Sequence, residues 1–72
     1  MTIQTRLPGR IIAVNFRQGD RVQKGDVVAW LDAMKLENPV TATADGTVSA
    51  VFVQAGDTLR AGSPVMEIDL LL

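Results

Sequence analysis

The 72-residue chain is one unit written twice. Residues 9–32 read GRIIAVNFRQGDRVQKGDVVAWLD and residues 46–69 read GTVSAVFVQAGDTLRAGSPVMEID, without a gap, at a constant offset of 37. Gly9/Gly46, Gly19/Gly56 and Gly25/Gly62 account for all 6 glycines, and Asp20/Asp57 and Asp32/Asp69 match as well. A fixed period marks a repeat architecture, but a solenoid needs about three copies to bury a continuous core. Two copies predict interlocked halves about a pseudo-twofold axis, 9–32 and 46–69, within a single domain spanning 1–72.

Each half reads as strands and turns. Glycine punctuates stretches rich in Val, Ile and Leu, and no period of 3.6 is sustained. Gly19-Asp20 and Gly56-Asp57 read as equivalent loops, and Gly25-Asp26 and Gly62-Ser63 as equivalent turns. The pattern predicts about eight short strands, with Pro8 and Pro64 at strand starts or turns, where a missing N–H is tolerated.

The repeat also reports which side chains face inward. A position apolar in both copies belongs to the core: Ile11/Val48, Val14/Val51, Phe16/Val53, Val22/Leu59, Val28/Val65 and Leu31/Ile68. Ile12/Ser49, Asn15/Phe52 and Trp30/Glu67 are mixed, which predicts partial exposure of Trp30 and Phe52. Residues 14 and 16 share strand parity but 11 does not, so a bulge is expected near Ala13.

The residue types exclude much chemistry. With no Cys there is no disulfide framework, zinc knuckle or thiol nucleophile. With no His, Ser-His catalysis and the usual near-neutral base are absent. Seven Lys and Arg against eight Asp and Glu, with the arginines scattered, argue against a nucleic-acid partner. No apolar run approaches the roughly 20 residues of a membrane span, and residues 1–10 lack a signal-peptide core. A chain this short has little room for a deep cavity with its own walls. Gly19 to Gly25 is no phosphate loop, because no Gly-Lys-Ser/Thr follows. The expectation is a cytoplasmic β module without catalysis of its own.

The copies differ at the junction. After Asp32 the first continues Ala33-Met34-Lys35-Leu36-Glu37-Asn38-Pro39-Val40, whereas after Asp69 the second ends in three leucines. A hairpin at the junction puts Met34-Lys35 at its tip. A two-residue primed turn favours Asn-Gly or Asp-Gly, and broken local rules point to functional sites. Lys35 is one of only two lysines, the other being Lys24. Unlike a guanidinium, a lysine amine can be acylated once deprotonated. An alkylamine is almost wholly protonated at pH 7, so a modifying enzyme must desolvate it or remove its proton. Asp32 and Glu37 flank the site as an acidic rim.

These residues resemble the biotinyl/lipoyl attachment family. Ala33-Met34-Lys35-Leu36 resembles the biotin-attachment motif Ala-Met-Lys-Met. Leu7-Pro8-Gly9-Arg10-Ile11 is similar to the Met-Pro-Gly-Thr-Val opening of those domains. Gln18-Gly19-Asp20-Arg21-Val22 with Lys24-Gly25 is similar to their Glu-Gly-Asp-x-Val-x-x-Gly run. Asp45-Gly46-Thr47-Val48 and Ala55-Gly56-Asp57 resemble its second-half counterpart. The likeness runs from about Arg6 to Asp69 and has the length of small stand-alone attachment proteins.

The resemblance implies an all-β, flattened eight-strand barrel (a barrel-sandwich hybrid) with the modified lysine on a hairpin turn between the halves. It implies biotin joined by an amide to Lys35, with Met34, Leu36 and Ala33 read by biotin protein ligase. It implies further partners, the biotin carboxylase and carboxyltransferase parts of a biotin-dependent carboxylase, decarboxylase or transcarboxylase. The carrier would be a non-catalytic swinging arm between their sites. Position 36 is Leu where Met is commonest, a swap close in volume. The short loop at Gln18-Gly19 leaves no room for the protruding thumb of some bacterial carriers. Two alternatives stay open. A lipoyl carrier of a 2-oxo acid dehydrogenase complex would more often show Asp-Lys-Ala at the turn, so Met34 and Leu36 favour biotin over lipoate. An unmodified assembly module is the other.

Overall fold

Why these residues form strands follows from the turns between them. Four segments repeat one device: 17–20, 23–26, 54–57 and 60–63. In each, the fourth residue's N–H donates to the first residue's carbonyl, as Asp20 to Arg17 at 3.0 Å and Ser63 to Arg60 at 3.1 Å. The fourth side chain closes the turn from the other side. Asp20, Asp26 and Asp57 accept from the N–H of Arg17, Gln23 and Gln54, and the Ser63 hydroxyl accepts from Arg60. The third residue is always glycine with φ between 85° and 99°, as a type II turn requires. Loop and turn are thus one motif used four times.

A computed structural model describes Met1–Leu71; Leu72, the last of the three terminal leucines, lies outside the described residues. The strands are β1 (Thr2–Gln4), β2 (Gly9–Val14), β3 (Arg21–Val22), β4 (Val27–Ala33), β5 (Leu36–Thr41), β6 (Gly46–Val51), β7 (Thr58–Leu59) and β8 (Pro64–Leu70). They form two four-stranded antiparallel sheets, ordered β1-β8-β6-β3 and β5-β4-β2-β7. The fold is all-β, as expected, and the barrel is flattened into two facing sheets. Advancing each strand of one sheet by the 37-residue offset, with wrap-around, produces the other sheet. The short strands interlock the halves: β3 pairs with β6, and β7 with β2.

The core is what the doubly apolar positions predict. Ile11, Val22, Val28, Val48, Val65 and Ile68 are buried to 2% exposure or less, and Val14, Phe16, Val51 and Leu59 pack against them. Full burial of each such side chain is worth about 1.5–3 kcal/mol. The β2–β4 register slips between Ile11 and Ala13, at the expected bulge, and the β6–β8 register slips at the equivalent place between Val48 and Ala50. Trp30 is half-buried and Phe52 exposed, in keeping with their mixed pairing. Leu31 and Val53, also doubly apolar, are buried too, and Ile3, Ala29, Ala33, Val40, Ala42 and Met66 complete the core. Ile3/Val40 and Ala29/Met66 obey the same offset, so the repeat reaches beyond 9–32 and 46–69 to take in β1 and β5.

Gly9 and Gly46 sit where strands approach most closely. A Cβ on Gly9 would run into the Asp32 carbonyl oxygen and one on Gly46 into that of Asp69. The molecule is 37 Å long and 18 Å in each other direction. Met1 lies at the far end of β5 from the β4–β5 turn, because the Thr43 hydroxyl reaches its sulfur at 3.2 Å. Ile68 donates to the Met1 carbonyl at 2.8 Å, which brings the end of β8 to the same pole. There the Met1 ammonium pairs with the Glu67 carboxylate, the sole ion pair among the described residues, and the Thr2 hydroxyl donates to that carboxylate at 2.7 Å. The ammonium first, and Thr2 second, hold the Glu67 carboxyl below its ordinary value of 4.5.

Candidate functional site: the β4–β5 turn

The β4–β5 hairpin has the least regular turn residues in the sequence. Ala33 and Leu36 pair directly, leaving two residues in the loop. Met34 has φ 54° and Lys35 φ 64°, and no other non-glycine residue has positive φ among those described. Positive φ at both positions is the type I′ geometry that matches strand twist. It costs an L-residue with a Cβ about 1–2 kcal/mol at each position. The four other tight turns place glycine at their positive-φ position; this one spends strain to put a long apolar side chain and a lysine there instead.

The result is display. Met34 is 86% exposed and Leu36 67% exposed, while Ala33 beneath them is buried at 3%. Lys35 is exposed, and no carboxylate pairs with its amine among the described residues. All four motif residues are therefore gathered at one tip: three on the surface and Ala33 as the small inward-facing base. Met34 is not a core gap-filler, the usual role of Met.

Strand parity sorts the flanking residues. Leu31 faces the core and its partner across the ladder is Asn38; Asp32 faces outward opposite Glu37, and Trp30 opposite Pro39. Asp32 is also opposite Arg10 on β2. The acidic rim is thus a directly opposed like-charge pair next to the lysine. Asn38 is half-buried, and its side-chain amide donates to the carbonyls of Leu36 at 3.0 Å and Ala33 at 3.4 Å. Sequence reading passed over Asn38. The one available signal was the poor turn chemistry of Met34-Lys35, which calls for a brace from outside the turn. A cleft of about 480 Å³ follows the seam between β1 and β5, with Asn38, Val40, Ile3 and Leu7 in its wall.

No histidine or cysteine exists in the chain, and no group of three metal-ligating side chains comes together among the described residues. The arrangement suits a passive acceptor: a primary amine on a rigid turn, open to a second macromolecule. An amide formed there would leave the fold's packing untouched.

Comparison with known proteins agrees with this fold. Residues 2–68 match the family described as "Biotin-requiring enzyme". The chain belongs to this biotin/lipoyl attachment family. It is 37% identical over 67 residues to the human mitochondrial propionyl-CoA carboxylase alpha chain, covering 93% of this chain and 9% of that one. It is 34% identical over 68 residues to the biotin/lipoyl attachment protein of Bacillus subtilis, covering 94% of this chain and 93% of that protein. Its structure superposes on the urea carboxylase of Kluyveromyces lactis with a TM-score of 0.90 at 33% identity, over 96% of this chain and 6% of that one. The chain thus spans under a tenth of these large carboxylases and nearly all of the small attachment protein.

Proposed function

We propose that the chain is a biotin carboxyl carrier, acting as one domain over 1–72, with biotin joined by an amide to Lys35. The observation that carries this reading is the exposed Lys35 amine at the tip of a two-residue turn, in an Ala-Met-Lys-Leu setting, on a chain of this family. The deprotonated Nζ attacks the carbonyl carbon of an activated biotin acyl group; the C–N bond forms, the acyl leaving group departs with its electron pair, and the amine's proton passes to the ligase. Ala33, Met34 and Leu36 present the surface that a biotin protein ligase reads. Once attached, biotin supplies the carboxyl-carrying chemistry. The domain contributes the jointed lysine side chain, the fixed turn and the docking surface, and no catalytic step.

The relatives named for propionyl-CoA and urea carboxylases support carriage between a biotin carboxylase part and a carboxyltransferase part. A tether of this kind raises the effective concentration at both sites to about the millimolar range. Which substrate accepts the carboxyl group is set by those partners. No helix long and apolar enough to cross a membrane occurs among the described residues, and we place the carrier in the cytoplasm.

One observation supports a second reading. The Bacillus subtilis relative, matched over 93% of its length, is named for both groups, so lipoate on the same lysine is the alternative. Intact mass separates them. The protein is incubated with ATP, biotin and a biotin protein ligase, and in parallel with lipoate and a lipoate ligase. One biotinyl addition in the first arm alone is the expected result. A lipoyl addition alone would replace this reading with the second, and no addition in either arm would sink both.

A further inference from the structure

Resting on that reading, we infer that Asn38 is the positioning residue of the acceptor turn. Its amide spans the carbonyls of Ala33 and Leu36, the two residues that bracket Met34-Lys35. Both carbonyls only accept hydrogen bonds, so the chemistry fixes the orientation: Nδ2 faces them and the side-chain oxygen faces away. The bond to Leu36, at 3.0 Å, is of ordinary length and carries most of the clamp; the 3.4 Å approach to Ala33 is longer than the usual range. No other side-chain hydrogen bond reaches residues 33–36 among those described.

The turn needs such a clamp. Two residues with a Cβ are held at positive φ at the end of a hairpin, where strands fray most readily. Left alone, the tip would relax towards wider loops with ordinary φ, and the lysine amine would sample many positions. A ligase that accepts only the tight turn would then meet a competent acceptor for only a fraction of the time. Apparent affinity falls in proportion to that fraction, while the rate at saturation is preserved. Asn38 therefore acts on KM through the turn and touches no reacting atom.

The test uses Asn38→Asp and Asn38→Ala in the full chain. Asp keeps the shape but cannot donate when ionised, and it sets a negative charge against two carbonyl oxygens. Ala removes the clamp without adding charge and covers the case in which the Asp variant fails to fold. Two readouts are taken on each. The first is NMR of the unmodified protein, where positive φ imposes a short intraresidue HN–Hα distance at Met34 and Lys35. The second is ligase kinetics at saturating biotin and ATP, with the domain as varied substrate. The inference requires loss of the short distances and a KM raised by about ten-fold, with kcat within about two-fold of the parent. Retained short distances in both variants would overturn it, and so would lost distances with an unchanged KM. A fall in kcat at constant KM would assign Asn38 to the reaction itself and also overturn it. A parent chain that takes no biotin would remove the carrier reading, and the NMR arm would still decide whether Asn38 holds the turn.

Discussion

At the scale of single residues, Lys35 and Asn38 show what a sequence can and cannot reveal. The place of Lys35 at the tip of a turn was readable because the copies differ there and because Met34-Lys35 falls between two well-punctuated halves. Asn38 was not, since its part depends on where two backbone carbonyls lie after a turn of unusual φ has formed. Lys35→Arg keeps the charge and removes the acylable amine. Because the side chain is exposed, the variant should keep the parent's melting temperature and gain no biotin by intact mass. Biotin appearing on that variant, at Lys24, would show the site to be misassigned. Glycine 46 makes the opposite case. Its Cβ would strike a backbone oxygen, which cannot swing aside, and the Ile68 side chain. Gly46→Ala should therefore cost about 1–3 kcal/mol in chemical denaturation, the usual range for overpacking. A change below a few tenths would mean that β6 and β8 can part there freely.

At the scale of elements, the β4–β5 hairpin carries both the proposed attachment site and a tension. Asp32 and Glu37 stand directly opposite each other on its outer face, and like charges so placed are destabilising by roughly 0.2–1 kcal/mol. Glu37→Lys should raise stability by about that amount in a urea titration. It should also lower the rate of any partner steered by negative charge at the tip. A destabilised Glu37→Lys would mean that the two carboxylates are splayed into water and never opposed each other. The bulges near Ala13 and Ala50 were foreseeable at the first position, because parity failed between Ile11 and Val14. Strand β1 was harder. Three residues carry too little alternation to read, and only the Ile3/Val40 match at the common offset hints that Thr2–Gln4 is the mate of the strand leaving the turn.

At the scale of the molecule, the halves are not separable objects. The sheets exchange β3 and β7, so each half completes the other's sheet. That exchange was not legible in the sequence, because two-residue strands have no period to detect; the repeat predicted only that some interlocking must occur. The pole holding Met1 has its own pH signature. The Met1 ammonium and Thr2 hold the Glu67 carboxyl below 4.5. A lowered carboxylate contributes stability that is present above its unfolded value and is lost as pH falls through its folded value. The melting-temperature advantage of the 72-residue chain over its Glu67→Gln variant should thus hold near neutrality and fade below about pH 4.5. An advantage that persists at pH 2 would show that the contact is not electrostatic.

Met1 and Leu71 lie at the opposite pole of a 37 Å body from the β4–β5 turn. A polypeptide spliced ahead of Met1 or beyond Leu71 would depart from the pole away from Lys35. The same compact body is therefore equally serviceable as a free-standing shuttle or as a bead strung within a far larger enzyme.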